Sequence, residues 1–127
     1  MSDRVKIEIE YLLRTSPKIL YNMISTPSGL SEWFADDVNI RGDMLTFFWD
    51  GSEEKARIMT KVKDQFVRYQ WDYDEGEDAF FEFRIKIDAL TREVALIITD
   101  FVDEDEEDSA RNLWESQLEE LRRVLGA

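Results

Sequence analysis

Residues 16–38 read SPKILYNMISTPSGLSEWFADDV and hold two short helix signals in succession. Ser16 is placed to cap the first helix, with Pro17 at its first position and apolar side chains along one side. A weaker signal follows, in which Thr26 or Ser28 caps a second helix of about two turns. The sequence on both sides of this stretch alternates between apolar and polar residues, so the two helices are predicted to interrupt a series of strands.

The flanking segments have the period of half-buried strands. Residues 3–14 form the first strand, with Val5, Ile7, Ile9 and Tyr11 on one face. Further strands are predicted within residues 44–49, 56–62, 67–73, 81–87 and 92–101. Short connections between alternating strands favour hairpins, so the sheet is predicted to be antiparallel with one apolar and one solvated face.

The last residues, 108–127, read DSARNLWESQLEELRRVLGA and carry an apolar stripe at helical spacing. The stripe consists of Ala110, Leu113, Trp114, Leu118, Leu121, Val124 and Leu125. Acidic residues at the start of this helix and arginines at its end suit the helix dipole. The helix is therefore predicted to cover the apolar face of the sheet, which makes the fold class α+β.

Length and composition predict one cytoplasmic domain spanning residues 1–127. The hydrophobic fraction of 43% is ordinary for a globular chain, and 127 residues are enough for a core. No apolar run approaches the roughly 20 residues that span a bilayer, so membrane insertion is not expected. The N-terminal sequence lacks the apolar region of a signal peptide.

The charge and the missing residue types exclude several function classes. A net charge of −13 disfavours nucleic acid and anionic membranes as partners. The absence of cysteine excludes disulfides and thiol nucleophiles, and the absence of histidine excludes histidine-dependent triads and metal sites. Carboxylates, lysine, tyrosine and arginine remain as catalytic candidates.

The predicted element order is that of the helix-grip fold. On this order, on the stretch 16–38 and on a final helix with Trp114 near its start, the chain resembles the START-like (SRPBCC) superfamily of polyketide cyclases, lipid-transfer domains and birch-pollen-type allergens. It is most similar to the bacterial branch named after the activator of a heat-shock-chaperone ATPase. The resemblance implies a curved antiparallel sheet of six to seven strands wrapped around a long C-terminal helix, with two short helices after the first strand.

Aromatic residues dominate the predicted apolar face, and they suggest a ligand site. A wedge-shaped gap between sheet and helix, lined by aromatics, would hold a small apolar or amphipathic molecule. The candidate ligand-binding residues are Trp33, Phe34, Phe47, Trp49, Tyr69, Trp71, Phe81, Phe83, Trp114 and Leu118. The same side chains could instead fill the gap as a close-packed core.

The adjacent pair Trp33 and Phe34 has two interpretations. The pair could form a lid over the mouth of the cavity, or a hydrophobic staple that fixes the second short helix against the sheet. The two interpretations are compatible, because a staple at the mouth of a cavity also covers it.

A protein-interaction module, co-chaperone-like in character, is the alternative function. Arg57, Lys61, Arg68, Arg84 and Lys86 are predicted to share the solvated face of the sheet. An acidic partner, or a second copy of the chain in a homodimer, could dock there. Cross-strand pairing with Glu82, Asp72 and Asp88 would equally account for these basic residues.

Catalysis and metal binding are less favoured. Tyr69, Tyr73 and Glu82 could act as acid or base, but alternation places Glu82 on the solvated face, and no nucleophile–base pair is visible. The segment DYDEGED, residues 72–78, has Gly76 where a calcium loop needs an oxygen ligand, and the twelfth position of such a loop would be Phe83 instead of glutamate. The acidic segment 103–109 is interpreted as a solvated loop before a helix. We therefore expect no metal and no cofactor.

Overall fold

A single antiparallel sheet curves around the C-terminal helix in the computed structural model, which describes residues 3–126. Its seven strands within those residues follow the order β1-β7-β6-β5-β4-β3-β2. The strands are β1 (Arg4–Leu13), β2 (Asp37–Arg41), β3 (Met44–Trp49), β4 (Ser52–Val62), β5 (Phe66–Trp71), β6 (Phe81–Ile87) and β7 (Val94–Asp103). The helices are α1 (Pro17–Ser25), α2 (Pro27–Trp33) and α3 (Glu107–Leu125), with short 3₁₀ turns at Asp72–Asp74 and Glu104–Glu106. The predicted α+β helix-grip architecture is confirmed.

Capping side chains define both short helices, as the sequence predicted. The Ser16 hydroxyl accepts a hydrogen bond from the Ile19 backbone N–H at 3.1 Å. The Thr26 hydroxyl accepts one from the Gly29 N–H at 3.0 Å, so Thr26 is the N-cap of α2 while also ending α1. Because one residue joins the two helices, they meet at a tight corner that carries the end of α2 to the sheet.

Helix α3 covers the apolar face of the sheet. Trp114, Leu118 and Leu121 are its buried side chains, and Gly126 ends it in the left-handed conformation with a φ of 70°. Leu113 departs from the prediction, because its side chain is 62% exposed rather than packed on the sheet. The covering stripe is therefore narrower than the helical spacing indicated.

Two features of the sheet differ from the sequence prediction. Strand β2 was not predicted, since it spans only Asp37–Arg41 and buries one residue there, Val38. Strand β4 has a bulge between Ile58 and Thr60, beyond which Lys61 pairs with the fully buried Val67 of β5. Cross-strand partners share a face, so Lys61 lies on the side of Val67 rather than on that of Arg57 and Arg68, although its side chain is exposed, as predicted.

Candidate functional site

A cluster of aromatic rings occupies the space between the sheet and α3. Phe34 lies at its centre, with ring centroids of six neighbours between 5.1 and 5.9 Å from its own. These neighbours are Trp33, Phe47, Trp49, Phe81, Phe83 and Trp114. Five of the predicted site residues are fully buried in this region, namely Phe47, Tyr69, Phe81, Phe83 and Leu118. Their packing is that of a protein interior.

The pair Trp33 and Phe34 anchors α2 to the rest of the molecule. The Trp33 indole N–H donates to the Met23 carbonyl at 2.8 Å, and its ring packs 5.5 Å from that of Phe83. The Phe34 carbonyl accepts from the Trp49 indole at 2.8 Å and from the Gln117 amide at 3.0 Å. These contacts join the C-terminal end of α2 to β3 and α3 at one point.

An open cleft of about 770 Å³ begins where this cluster meets the surface. The end of α2, the β3–β4 hairpin, the Asp72–Asp74 turn and α3 form its walls. Its lining residues are Ser31, Glu32, Trp33, Phe34, Ala35, Asp36, Trp49, Ser52, Glu54, Trp71, Tyr73, Leu113, Gln117 and Glu120. A smaller hollow of about 160 Å³ continues inward beside Trp71, Trp114 and Asp100. Four predicted residues (Trp33, Phe34, Trp49, Trp71) thus line the cleft, and Trp114 lines the hollow.

Ten of the fourteen lining residues were missing from the predicted ligand site, and two of these ten, Tyr73 and Leu113, have large exposed apolar side chains. Tyr73 was considered only as a catalytic candidate, and its side chain is 61% exposed at the rim. Leu113 was assigned to the covering stripe of α3, and it forms part of the opposite wall. Both are apolar surfaces open to solvent. A sequence signal for Tyr73 did exist. The acidic segment that begins at Asp72 indicates that β5 ends at Trp71, so Tyr73 belongs to a surface turn and not to the strand.

Asp100 is a half-buried carboxylate in the hollow beside the cleft. Burial raises the pKa of Asp100, although hydrogen bonds from the Trp114 indole at 3.0 Å and the Phe101 N–H at 2.8 Å favour its charged form. The side chain lines the inner hollow together with Trp71. It therefore supplies a carboxylate to a hollow that is otherwise lined mainly by aromatic side chains.

The candidate acids and bases lie apart from one another. Burial raises the pKa of Tyr69, whose hydroxyl donates to the Ile24 carbonyl at 2.6 Å within the core. Glu82 lies on the outer face of the sheet, as alternation predicted, but it is only 6% exposed rather than solvated. Arg68 and Arg84 approach it to 2.9 and 3.0 Å and close over it. Neither Tyr69 nor Glu82 can therefore reach a ligand in the cleft.

The acidic segments have different structural settings. Asp74 in the DYDEGED segment is buried and forms an ion pair with Arg4 at 3.0 Å. In the segment before α3, carboxylate oxygens of Asp103, Asp105 and Glu106 lie within 4.8 Å of one another. Asp105 and Glu106 are exposed there, as expected for a solvated loop.

Comparison with known proteins identifies the class. The START-like superfamily domain matches residues 1–127, and the chain belongs to this superfamily. A Bacteroides fragilis protein solved by NMR is 41% identical, with 98% of this chain and 93% of that chain covered and a TM-score of 0.68. No curated protein matches the sequence.

More distant structures share the fold. The Aha1 dimer from Colwellia psychrerythraea has a TM-score of 0.79 at 17% identity, with 95% of this chain and 96% of that chain covered. DynU16, from the dynemicin biosynthetic locus, has a TM-score of 0.80 at 12% identity, with 96% of this chain and 47% of that chain covered. The predicted family is confirmed. Within residues 3–126, no helix combines the length and apolar composition needed to cross a bilayer.

Proposed function

We propose that this protein binds a small apolar or amphipathic molecule in the cleft. The observation that carries the proposal is an apolar lining around about 770 Å³ of space, formed by the exposed Tyr73 and Leu113 and the half-buried Trp49 and Trp71. Ligand sites are typically concave, largely apolar and roughly 300–1,000 Å³ in volume. The ligand would lie at the mouth of the gap between sheet and α3, because aromatic side chains occupy the interior of that gap.

Leu113 offers a direct test, since an exposed side chain can be replaced without disturbing the core. Nile red, an uncharged apolar dye, should bind with a blue shift in its emission. Leu113→Ser removes an apolar wall from the cleft and should weaken the dye about fivefold, the effect of losing roughly one methylene group of buried apolar contact.

Leu90→Ser is the matched control, because Leu90 is 94% exposed in the turn between β6 and β7, outside the cleft. The control variant should titrate as the wild type does. Equal affinities for wild type and Leu113→Ser, or equal losses in both variants, would remove the cleft as the site of binding.

Self-association is the second candidate function, and the related Colwellia protein, described as a dimer, is the observation that favours it. The solvated sheet face is less available for docking than the sequence suggested, since Arg68 and Arg84 are both paired with Glu82. On that face Arg57 has only long ion pairs with Asp43 and Glu75, both at 3.9 Å, and Lys86 is exposed. Sedimentation equilibrium over a hundredfold concentration range, repeated with Arg57→Glu and Lys86→Glu, tests this candidate, and a monomer throughout would exclude it.

A further inference from the structure

We propose that the cleft selects an organic cation, a ligand with a positively charged amine or ammonium head on an apolar body. This inference rests on the proposed function and narrows its ligand class. Two independent features of the cleft carry it: the arrangement of its aromatic rings and the sign of its charges.

Three aromatic rings form one continuous wall of the cleft. The Tyr73 ring stacks on that of Trp71, with centroids 6.0 Å apart and an interplanar angle of 8°. Trp71 also stacks on Phe81 in the core, at 4.7 Å, so Tyr73 is the ring of this wall most open to a ligand. Trp49 stands at 56° to Trp71, with centroids 6.3 Å apart. Aromatic faces attract cations through the ring quadrupole, tryptophan most strongly, and quaternary ammonium groups are recognised in this way. An apolar ligand alone would not need rings, because aliphatic side chains bury the same area.

The charged residues of the cleft all have one sign. Its lining within the described chain contains the carboxylates of Glu32, Asp36, Glu54 and Glu120 and no lysine or arginine. Glu120 is neutralised by an ion pair with Arg123, and Asp36 accepts a hydrogen bond from the Asp50 N–H at 2.9 Å. The field that remains is negative, and it adds to that of a chain with a net charge of −13.

Glu54 is the carboxylate best placed to meet a ligand. It pairs with Phe47 across β3 and β4, and it therefore points to the inner face of the sheet. The side chain is half-buried. Among residues 3–126 it has no ion-pair partner. A partly desolvated carboxylate beside aromatic faces favours a cation, and it would repel a carboxylate or phosphate head.

The rest of the site suits the apolar body of such a ligand. Leu113 forms the opposite wall, and the hollow beside Trp114 extends the site inward. A ligand could therefore place its cationic head near Glu54 and the three rings while its apolar part contacts Leu113. An inorganic cation would gain nothing from the apolar wall, so an amphipathic cation is the better match.

Three probes with one apolar body separate the charge preference from simple apolar binding. Octyltrimethylammonium, 1-octanol and octanoate should each be titrated against the protein by displacement of Nile red at low ionic strength. The ammonium probe should bind at least about tenfold more tightly than octanoate, and the difference should shrink in 0.2 M salt, where the Debye length is under about 10 Å.

The possible results distinguish the two proposals. If no probe displaces the dye, apolar binding in the cleft itself fails. If the three probes bind equally, apolar binding stands and the charge preference is overturned. Tighter binding of octanoate than of octyltrimethylammonium would overturn it as well.

Variants locate the preference in the cleft. Glu54→Gln should weaken the ammonium probe about fivefold and leave octanol unchanged, because only the charge is removed. Glu53→Gln is the matched control, since Glu53 lies on the same strand with its side chain on the opposite face, paired with Phe48. Tyr73→Leu should weaken binding of the ammonium probe more than binding of octanol. Tyr73→Phe keeps the ring and should therefore retain most of the wild-type affinity for the ammonium probe. Equal effects of Glu54→Gln and Glu53→Gln would contradict the proposal.

Discussion

Glu82 carries a buried charge on the outer face of the sheet, and its surroundings explain how. Its carboxylate accepts hydrogen bonds from Arg68 and Arg84, whose guanidinium groups lie over the rings of Phe80 and Phe66 at 4.0 and 4.1 Å. Burial by itself would raise the pKa of Glu82, but the two arginines outweigh it and hold the pKa below its ordinary value. The ionised form is therefore favoured by folding.

Glu82→Gln should reveal this coupling as a pH-dependent loss of stability. Because the folded-state pKa is depressed, the stabilisation is complete above the ordinary glutamate pKa of about 4.3 and is lost as the pH falls through the folded-state pKa. The variant should cost about 1–2 kcal/mol at pH 7, a modest value because both arginines are partly solvated. Urea midpoints at pH 7 and pH 3.5 measure it. A loss of equal size at both pH values would show that charge is not responsible.

Sequence alternation predicted the face on which Glu82 lies but not its burial. Alternation fixes only the side of a strand, whereas burial here depends on Arg68 and Arg84 from two strands and on Phe66 and Phe80 beneath them. Such a group forms only after the strands have paired. The same limit applies to Tyr73, whose exposure follows from where β5 ends.

At the scale of elements, helix boundaries were predictable and the irregularities of the sheet were not. Ser16, Thr26 and the prolines that follow them act through neighbouring backbone groups, so the sequence contains the whole signal. The bulge in β4 has no local marker, because no glycine lies near Ile58. Strand β2 alternates over only five residues, with Val38 and Ile40 as its apolar positions, and that is too short to be distinguished from a loop without its pairing to β3.

At the corner between α1 and α2, packing and helix propensity predict opposite effects of Gly29→Ala on stability. A Cβ at Gly29 would lie 2.2 Å from the Asn22 carbonyl oxygen and 2.7 Å from the Met23 Cα. Helix propensity alone would make Gly29→Ala stabilising by about 1 kcal/mol. Overpacking against backbone should instead destabilise it by about 1–3 kcal/mol.

Overpacking in Gly29→Ala should also disturb the cleft, since Trp33 and Phe34 lie at the end of α2. Ser28→Ala, at an exposed position on the same helix, is the control and should change the urea midpoint little. A Gly29→Ala protein more stable than the wild type would mean that α1 and α2 separate without cost.

At the scale of the whole molecule, the sequence predicted which side chains lie between sheet and helix but not whether they leave space. The apolar faces of β1 and of β3 to β7 could be read from their period, and their buried side chains form one cluster with Trp114, Leu118 and Leu121 of α3. Whether aromatic rings line a gap or fill it depends on the separation of α3 from the sheet. Phe34 enters that gap from α2 and packs against rings from β3, β6 and α3. The remaining space lies at the surface, in the cleft.

Because the chain has a net charge of −13, added salt should raise the stability of the fold and lower the affinity of the cleft for a cation. Like charges across the surface repel and destabilise the compact state, so screening them should raise the Tm. Between 10 mM and 0.5 M NaCl we expect a rise of about 3–6 °C, which corresponds to roughly 1 kcal/mol for a chain of this size. The affinity for octyltrimethylammonium should fall over the same range, because its attraction to the cleft is screened as well.

Reversing Glu8 and Glu53 to lysine changes the net charge from −13 to −9, two units per reversal. This variant should have a higher Tm at low salt and a smaller rise in Tm on addition of NaCl. A Tm that falls with added salt would mean that surface ion pairs outweigh the repulsion, and an ammonium affinity independent of salt would separate the cleft from the field of the whole molecule.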